Sequence, residues 1–539
     1  MNPAADRARP DVLAHEVARR RTFAIISHPD AGKTTLTEKL LLYAGAVELA
    51  GAVRAGKTQR RATSDWMALE QERGISITTT VLQFACDGRL LNLLDTPGHQ
   101  DFSEDTYRTL LAVDSAVMVL DSAKGIEPRT LKLFAVCAAR GLPILTFVNK
   151  LDHEGRDPLA LLDEIEHVLG IGAVPMNWPI GQGGAFQGVY DLRRRQVLRF
   201  ERTERHQRRA PVVALDLDDH GLEAELGADA TSRLREEVEL MAAAGARFDP
   251  DAFLAGKLTP VFFGSALNNF GVEPFLAALL ELAAPPGPRV SDRGLVEPTA
   301  ENFSGLVFKI QANMDPQHRD RMAFLRVCSG RFRKDMAVHH ARLGRTIRLT
   351  RPHRLFARDR ETVEEAYPGD VVGLVNPGLF AIGDTVSEDG PLAFEPLPRF
   401  EPERFALLRS RSLTKYKQFH QGLRQLEEEG AIQVLVTADG ARRDYVLAAV
   451  GDLQFDVVAA RLAAEYGVET TVERLPHVAA RAVVGTPDAV TAIVWPYAGV
   501  LKVRDHRDRL VALFGSQREL DYCAERNATV AFRPLADLG

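Results

Sequence analysis

The chain reads Ser27-His28-Pro29-Asp30-Ala31-Gly32-Lys33-Thr34 where an apolar run, residues 22–26, gives way to a helical pattern that begins at Leu36. A strand that leads through a tight loop into a helix N-terminus is a phosphate-binding arrangement, because backbone amides converge there and the helix dipole favours negative charge. In such a loop Lys33 reaches the outer phosphates, and the hydroxyl of Thr34 binds Mg²⁺. This stretch therefore predicts an α/β P-loop domain.

A second stretch, residues 51–58 (GAVRAGKT), matches the pattern G-x-x-x-x-G-K-[ST] more closely, because the first stretch has Ser27 in place of the first glycine. No buried strand pattern precedes this second stretch, and no apolar periodicity follows it. We interpret residues 51–58 as a loop and a chance match, and we assign the phosphate site to residues 27–34.

The composition excludes several classes of protein. The chain has 539 residues, a formal net charge of −6 and four cysteines that are far apart in sequence. The cysteine spacing argues for a reducing compartment and against structural zinc. No apolar run approaches the ~18 residues needed to span a bilayer. We therefore expect a cytoplasmic protein of roughly three to four domains that has no membrane partner.

The domain organisation follows from changes in pattern along the chain. Apolar runs alternate with helical patterns up to about residue 285, which predicts a mostly parallel sheet with helices on both faces and an edge hairpin at Asp87-Gly88. Residues 180–255 break this rhythm and indicate an insertion. Proline clusters mark two linkers, and no internal repeat is evident. The predicted division is a P-loop domain over 1–288, a β-barrel over 289–395 and an α+β sandwich over 396–539.

Four further segments stand in the order that a GTP-hydrolysing P-loop domain requires. They are Arg73-Gly74-Ile75-Ser76-Ile77, Asp95-Thr96-Pro97-Gly98-His99, Asn149-Lys150-Leu151-Asp152 and Gly264-Ser265-Ala266. We expect Ser76 to be a Mg²⁺ ligand beside the γ-phosphate and Asp95 to hold a magnesium water. The amide of Gly98 is placed to sense the γ-phosphate.

The pair Asn149 and Asp152 predicts specificity for guanine. A carboxylate at Asp152 accepts from both the ring N–H and the exocyclic amine of guanine, whereas adenine offers no such pair of donors. The amides of Ser265 and Ala266 are expected to bind the guanine oxygen.

Phosphoryl transfer needs positioning and charge neutralisation from the protein. His99 is the candidate that orients the attacking water, behind an apolar gate formed by Ile75 and Pro29, and Asp30 is a candidate ligand of a monovalent cation. The predicted catalytic groups are His99, Lys33 and Gly98, and the predicted metal ligands are Thr34, Ser76 and Asp95. The predicted nucleotide contacts are Ser27, His28, Pro29, Asp30, Ala31, Gly32, Lys33, Thr34, Thr35, Asp95, Thr96, Pro97, Gly98, His99, Asn149, Lys150, Asp152, Ser265 and Ala266.

The motifs together resemble the class-II release factors of the translational GTPase family, over about residues 14–480. The resemblance is carried by SHPDAGKTT, RGISITTT, LLDTPGHQDFSEDTYRTL, FVNKLD, VFKIQANMDPQHRDR and AVGDLQFDVVAARL. It implies a monomer that uses GTP and Mg²⁺ on the ribosome, turns GTP into GDP, and drives off the class-I release factor after peptide release. It implies the same three-domain division and functional roles for residues 33, 76, 99 and 152.

Two rival functions remain open. An elongation or ribosome-protection GTPase has the same nucleotide chemistry, but we expect such a protein to carry two further domains. A GTP-gated ribosome-binding protein is the other rival. The chain has no Gly-Gly-Gln tripeptide, so it lacks the motif of factors that hydrolyse the peptidyl ester.

Local basic clusters are the candidate contacts with ribosomal RNA and ribosomal proteins, since the protein as a whole is acidic. The alternative is that each cluster is a solvated surface. The clusters are Arg319/Arg321, Arg331/Arg333/Lys334, Arg351/Arg354/Arg358/Arg360 and Arg409/Arg411/Lys415/Lys417.

Overall fold

The computed structural model describes most of the chain. The described residues are 10–47, 70, 76–201, 210, 212–244, 247–312, 321–356, 359–397, 400–438, 444–496 and 499–538. The second P-loop match, the gate residue Ile75 and the basic residues Arg319 and Arg358 lie outside them. Within these ranges, no helix is both long and apolar enough to cross a membrane.

The first domain is built on a mostly parallel sheet of order β2-β3-β1-β4-β5-β11-β6, as predicted. Its strands and those of the insertion are β1 (Arg20–Ser27), β2 (Thr80–Cys86), β3 (Arg89–Asp95), β4 (Ser115–Asp121), β5 (Ile144–Asn149), β6 (Gly172–Pro175), β7 (Asn177–Ile180), β8 (Gly188–Asp191), β9 (Gln196–Phe200), β10 (Val212–Asp216) and β11 (Leu258–Phe263). Its helices are α1 (Pro10–Ala18), α2 (Lys33–Tyr43), α3 (Ser103–Leu111), α4 (Pro128–Ala139), α5 (Pro158–Leu169), α6 (Leu222–Leu226), α7 (Ala228–Ala244), α8 (Pro250–Leu254) and α9 (Val272–Leu282).

The edge hairpin at Asp87-Gly88 is confirmed. Strands β2 and β3 pair antiparallel, and Asp87 and Gly88 have φ of 44° and 75°. Two successive positive φ angles match the right-handed twist of the flanking strands, so this turn closes the hairpin without splaying it.

The alternation of strands and helices stops at β7, because strands β7 to β10 form a separate antiparallel sheet in which they lie in chain order. Its apolar face packs on the end of the parallel sheet, where Trp178 meets Phe263 edge-on and Phe200 stacks on Phe270. Strands β8 and β9 pair as an antiparallel hairpin within this sheet.

The second domain is antiparallel and shares one sheet with the first, because β19 pairs with β2 at Phe356 and Leu82. A buried ion pair between Arg326 and Asp114 also joins the two domains. The strands are β12 (Arg289–Ser291), β13 (Gly294–Val296), β14 (Ser304–Ala312), β15 (Arg321–Ser329), β16 (Phe332–Arg333), β17 (Ala337–His340), β18 (Arg345–Arg348), β19 (Pro352–Phe356), β20 (Asp359–Thr362), β21 (Glu365–Ala366), β22 (Val371–Val375) and β23 (Thr385–Ser387).

The third domain contains two halves of identical topology, which the sequence did not reveal. Each half runs β-α-β-β-α-β, and the eight strands lie in the order β27-β24-β26-β25-β29-β30-β28-β31. Its elements are β24 (Arg404–Ser410), α10 (Tyr416–Glu428), β25 (Gln433–Thr437), β26 (Tyr445–Ala449), α11 (Leu453–Tyr466), β27 (Thr470–Leu475), β28 (Ala479–Val484), α12 (Pro487–Thr491), β29 (Leu501–Arg504), β30 (Leu510–Phe514), α13 (Gln517–Arg526) and β31 (Ala531–Pro534). Helix-free faces of both halves contribute to one core that includes Phe405, Val446, Ala480 and Leu513. This is the expected α+β sandwich.

Candidate nucleotide-binding site

The predicted site segments converge because four parallel strands end at one edge of the sheet. Strands β1, β3, β5 and β11 deliver residues 27–34, 95–99, 149–152 and 265–266 to that edge. Ligands bind at the carboxyl ends of strands in such open α/β sheets. The arrangement gives one concave site made from four separate parts of the sequence.

The P-loop takes a conformation that only a few residue types adopt. Asp30 and Gly32 have φ of 66° and 90°, and α2 begins directly after them at Lys33. A Cβ atom on Gly32 would collide with Nδ2 of Asn149, so glycine is required for close packing as well as for its backbone angle. Thr34 and Thr35 are half-buried in the first turn of α2.

Lys33 and Asp95 form a buried ion pair, with Nζ 2.5 Å from Oδ1. Among the described residues, the other carboxylate oxygen of Asp95 is buried and has no hydrogen-bond partner. A buried carboxylate oxygen with spare capacity is an oxygen ligand of the type that Mg²⁺ and its waters prefer. The residues present therefore fit a magnesium ion at this position.

Asn149 connects two loops of the site. Its Nδ2 donates to the carbonyl of Ala31 (2.8 Å), and its Oδ1 accepts from the amide of Ala266 (2.9 Å). The side chain is almost completely buried. Asn149 thus holds the phosphate loop against the 265–266 loop.

Asp152 faces the same loop. Ser265 donates to its Oδ1 from a distance of 2.6 Å, and the Asp152 side chain is largely buried. The neighbouring Lys150 has a φ of 69°, and its ammonium lies 2.9 Å from Asp121. Burial opposes ionisation of Asp121, but Lys150 and two backbone amides outweigh it and lower the pKa of this carboxyl. Asp121 was not found from the sequence, because it belongs to no motif.

The loop after β3 lies on the phosphate loop. A Cβ on Gly98 would be 3.6 Å from the Cα of Pro29, and the hydroxyl of Thr96 donates to the carbonyl of Ile25 (2.7 Å). Arg129, from α4, donates to the carbonyl of Pro97 (3.2 Å), and burial lowers the pKa of its guanidinium to about 10. This arginine is a second residue that no sequence signal indicated.

His99 is 35% exposed, and its Nδ1 accepts from the amide of Asp101 (3.3 Å). The same Nδ1 lies 3.4 Å from Oδ1 of Asp101. In the tautomer that accepts the amide bond, the ring proton is on Nε2, where it can donate to a water molecule.

Three further predicted site residues, His28, Ser76 and Ser27, are buried or half-buried beside these loops. His28 is buried against the Glu127 carboxylate; burial lowers the pKa of the imidazole, and Glu127 opposes that change. Ser76 is half-buried, and the next residue, Ile77, packs with Phe102 and Val457. Ser27 is buried, and its hydroxyl donates to the carbonyl of His28.

The site is joined to the third domain through Asp101. Its Oδ2 accepts from the amide of Leu453 at the start of α11 (2.8 Å). A Cβ on Gly451 would collide with the same carboxylate, so the loop before α11 approaches within side-chain contact. The 77–79 and 99–102 segments and α11 are therefore one packed unit.

Three family models match successive parts of the chain. They are described as "Elongation factor Tu GTP binding domain" (residues 18–285), "Elongation factor G domain 2" (302–389) and "Class II release factor RF3, C-terminal domain" (394–524). A curated protein named peptide chain release factor 3 from Gloeobacter violaceus is 57% identical over 527 residues, which is 98% of this chain and 99% of that protein. The chain belongs to the peptide chain release factor 3 family.

Other comparisons agree with this assignment. A peptide chain release factor 3 from Synechocystis sp. is 57% identical over 97% of this chain and 95% of its own length. A crystal structure of a Thermus thermophilus protein shares the fold, with a TM-score of 0.67 at 24% identity over 90% of this chain and 73% of that one. The expected family and fold class are confirmed. The protein is a class II release factor GTPase of translation termination.

Proposed function

We propose that this GTPase promotes dissociation of class-I release factors from the ribosome after peptide release, and that GTP hydrolysis depends on His99. The observation that carries this proposal is the hydrogen bond between Asp101 and Leu453, which ties the His99 loop to the class II release factor domain. A movement of the third domain on the ribosome then changes the position of His99.

In the proposed site, the phosphate loop from Ser27 to Thr35 binds the phosphates through its amides and through Lys33. Thr34, Ser76 and the Asp95 carboxylate hold Mg²⁺, which neutralises phosphate charge when bound. The unpartnered buried oxygen of Asp95 supports this assignment. Lys33 exchanges its carboxylate partner for phosphate when nucleotide binds.

Hydrolysis is proposed to run in one displacement. The Nε2–H of His99 donates to the attacking water and holds it opposite the leaving group, and the Gly98 amide donates to the γ-phosphate. The water oxygen bonds to the γ-phosphorus as the bond to the bridging oxygen breaks, and GDP leaves with that electron pair. The water protons go to the released phosphate and to solvent.

Guanine is proposed to be selected by Asp152, whose second oxygen faces His153 at 3.4 Å while its first is held by Ser265. The carboxylate accepts from the two guanine donors. In the structure the amide of Ala266 donates to Asn149 and that of Ser265 donates to the carbonyl of Phe270 (2.9 Å each), so the predicted donation from residues 265 and 266 to the guanine oxygen requires these bonds to be shared or exchanged. Asn149 acts by holding the loops, and Lys150 by covering the base plane with its stem. Both remain in the proposed nucleotide site.

The proposed contact with ribosomal RNA is the basic cluster that contains Arg351 and Arg354. The structure extends this cluster toward the N-terminus by Arg345 and Arg348. Arg345, Arg348, Arg351 and Arg354 are exposed, and none has a carboxylate within ion-pair distance in the part of the chain that the structure describes. The Arg331, Arg333 and Lys334 cluster is different, because Glu365, Glu388 and Glu364 face its three cations. Unpaired arginines on an acidic protein favour phosphate contacts.

The remaining parts of the proposal concern the whole chain. We propose that it acts as a monomer in the cytoplasm, with the GTPase domain over 1–288, the β-barrel over 289–395 and the α+β domain over 396–539. The rival GTP-gated binding protein has the same site but needs no hydrolysis.

The deciding experiment uses termination complexes that hold a labelled class-I release factor. We expect this protein with GTP to release the label, and His99→Ala to bind nucleotide normally while it loses ribosome-stimulated GTP turnover. His167→Ala, on the exposed face of α5, is the matched control. Normal turnover by His99→Ala would support the binding-protein rival, and no release of label by the wild-type protein would refute the proposed dissociation of class-I factors.

A further inference from the structure

The backbone directly after Ser76 is held by two carboxylates of the first domain. Oε1 of Glu70 accepts from the amides of Ile77 (2.9 Å) and Thr78 (3.2 Å). Oδ2 of Asp105, on α3, accepts from the amide of Thr79 (2.5 Å). Three successive amides are thus fixed by side chains.

The same segment is also held by a lysine from the second domain. Lys309, on β14, donates from Nζ to the hydroxyl of Thr78 (3.0 Å) and to the carbonyl of Thr79 (2.5 Å). Its ammonium is 3.6 Å from Asp105, and the residue is only 4% exposed. Burying an ammonium group costs several kcal/mol unless it is paired and hydrogen-bonded, so this geometry is tightly determined.

We propose that Lys309 is a positioning residue for Ser76, which it holds in place for magnesium from the neighbouring domain. This inference rests on the proposed role of Ser76 as a Mg²⁺ ligand beside the γ-phosphate. Thr78 is two residues from Ser76, a span of about 7 Å in extended chain. A displacement of Thr78 is therefore transmitted directly to the Ser76 hydroxyl.

The strand that carries Lys309 is also attached to the third domain. The amide of Ala312, three residues further along β14, donates to Glu429 (2.8 Å), and Glu429 forms a buried two-pronged ion pair with Arg461 of α11. A movement of the third domain is therefore transmitted to β14 through the bonds of Glu429. Lys309 makes the metal-binding geometry of the first domain depend on where the other two domains stand.

A purely structural role is the competing explanation. If Lys309 only joins two domains, its loss weakens folding and the affinity for every nucleotide to the same extent. If it positions Ser76, its loss selectively weakens the magnesium-dependent part of GTP binding, since GDP has no γ-phosphate beside Ser76.

The test uses Lys309→Met, which keeps an unbranched side chain only one atom shorter and removes its charge and donors. Equilibrium affinities for GDP and for a non-hydrolysable GTP analogue are measured on the full chain, each with and without Mg²⁺. We expect the gain in analogue affinity on adding Mg²⁺ to fall about tenfold, with GDP affinity unchanged. Lys334→Met is the control, because that lysine of the same domain is exposed and pairs with Glu364.

A second variant covers the case in which Lys309→Met does not fold. Thr78→Val removes one acceptor of Lys309, and with it the weaker hydroxyl bond to Gln311 (3.4 Å), while the residues of the second domain stay unchanged. We expect a smaller loss of the same magnesium-dependent gain. Equal losses for GDP and the analogue, or no loss with either variant, would overturn the inference. A wild-type protein whose analogue affinity does not respond to Mg²⁺ would instead refute the proposed metal site, so the two failures are distinguishable.

Discussion

The backbone amide of Leu453 donates a 2.8 Å hydrogen bond to Asp101, and the amide of Asp101 donates in turn to His99. The start of a helix in the third domain is thus two hydrogen bonds away from the proposed catalytic imidazole. The apolar contacts of Ile77, Phe102 and Val457 surround this link. A signal received by the third domain has a short physical route to the site of hydrolysis.

Asp101→Ala removes this link, together with the carboxylate oxygen 3.4 Å from Nδ1 of His99, and leaves the backbone donor to His99 in place. We expect ribosome-stimulated single-turnover hydrolysis to fall about tenfold, because the loop that carries His99 loses a hydrogen bond to a charged group. GDP affinity should not change. Asp216→Ala, exposed on β10, is the control, and undiminished turnover would contradict the coupling.

Asp152→Asn should change the preferred base from guanine to xanthine. An amide at this position can donate to the second carbonyl of xanthine, whereas a carboxylate only accepts. Affinities for GTP and XTP, measured in parallel on the wild-type and variant proteins, test this. The same ranking in both proteins would remove our explanation of specificity. Asp163→Asn, on the exposed face of α5, serves as control.

Asn149→Ala should weaken GTP and GDP binding equally. The change leaves the carbonyl of Ala31 and the amide of Ala266 without their partner, which costs about 1–3 kcal/mol for each buried group. Thermal unfolding should also begin at a lower temperature. The ratio of GTP to GDP affinity tests this explanation, because the two nucleotides differ only in the γ-phosphate. A selective loss of GTP affinity would mean that Asn149 acts on the γ-phosphate and would contradict the loop-holding role.

Replacing Arg348, Arg351 and Arg354 by alanine should weaken ribosome binding and make it less dependent on salt. The slope of log affinity against log salt should fall by about one unit for each arginine that binds a phosphate in the wild-type complex. Alanine at Arg331, Arg333 and Lys334 is the matched triple control, since carboxylates already face those cations. Equal effects of the two triple variants would argue against a localised RNA contact.

Glu427 makes stability depend on pH. Burial raises the pKa of this carboxyl to about 7, against partial relief from the amide of Val434. The folded-state pKa lies above the ordinary value of 4.5, so the folded state binds the Glu427 proton more tightly than the unfolded state does. The contribution of protonated Glu427 to the free energy of unfolding is therefore complete below about pH 4.5 and is lost as the pH rises through 7. Glu427→Gln should therefore gain stability over the wild-type protein as the pH rises, by up to about 3 kcal/mol at pH 8. Urea unfolding at pH 5 and 8 measures this, and a difference that is independent of pH would contradict it.

The phosphate loop, the hairpin and the parallel sheet could be predicted because local pattern determines them. A buried strand followed by glycine, lysine and threonine has few alternative structures. Helix α3 was not predicted, although its sequence was noted as part of a motif. Its Thr106 and Thr109 are polar yet buried, because their hydroxyls bond to the carbonyl of Pro97 and to Thr79 in the first domain, and its Arg108 is buried beside Gly430 of the third domain. No local pattern encodes partners so far away in the sequence.

The linking residues escaped prediction for the same reason. Asp101, Lys309 and Glu429 come from three domains and are up to 328 positions apart in sequence, and each looks like an ordinary surface charge when read alone. Their function depends on the partner that folding brings to them. The duplicated topology of the third domain was also hidden, since strand order can repeat without any repetition of residues.

The third domain has a consequence for shortened versions of this protein. Strand β25 of its first half pairs antiparallel with β29 of its second half at Val436–Arg504 and Thr437–Val503. The second half also covers the helix-free face of the first half. A chain that ends near residue 476 would expose the hydrogen-bonding edge of β25 and the apolar, helix-free face of the first half, which includes Phe405 and Val446. We expect such a fragment to aggregate through this exposed edge and apolar face. The C-terminal half of the third domain therefore protects the first half from aggregation by covering both.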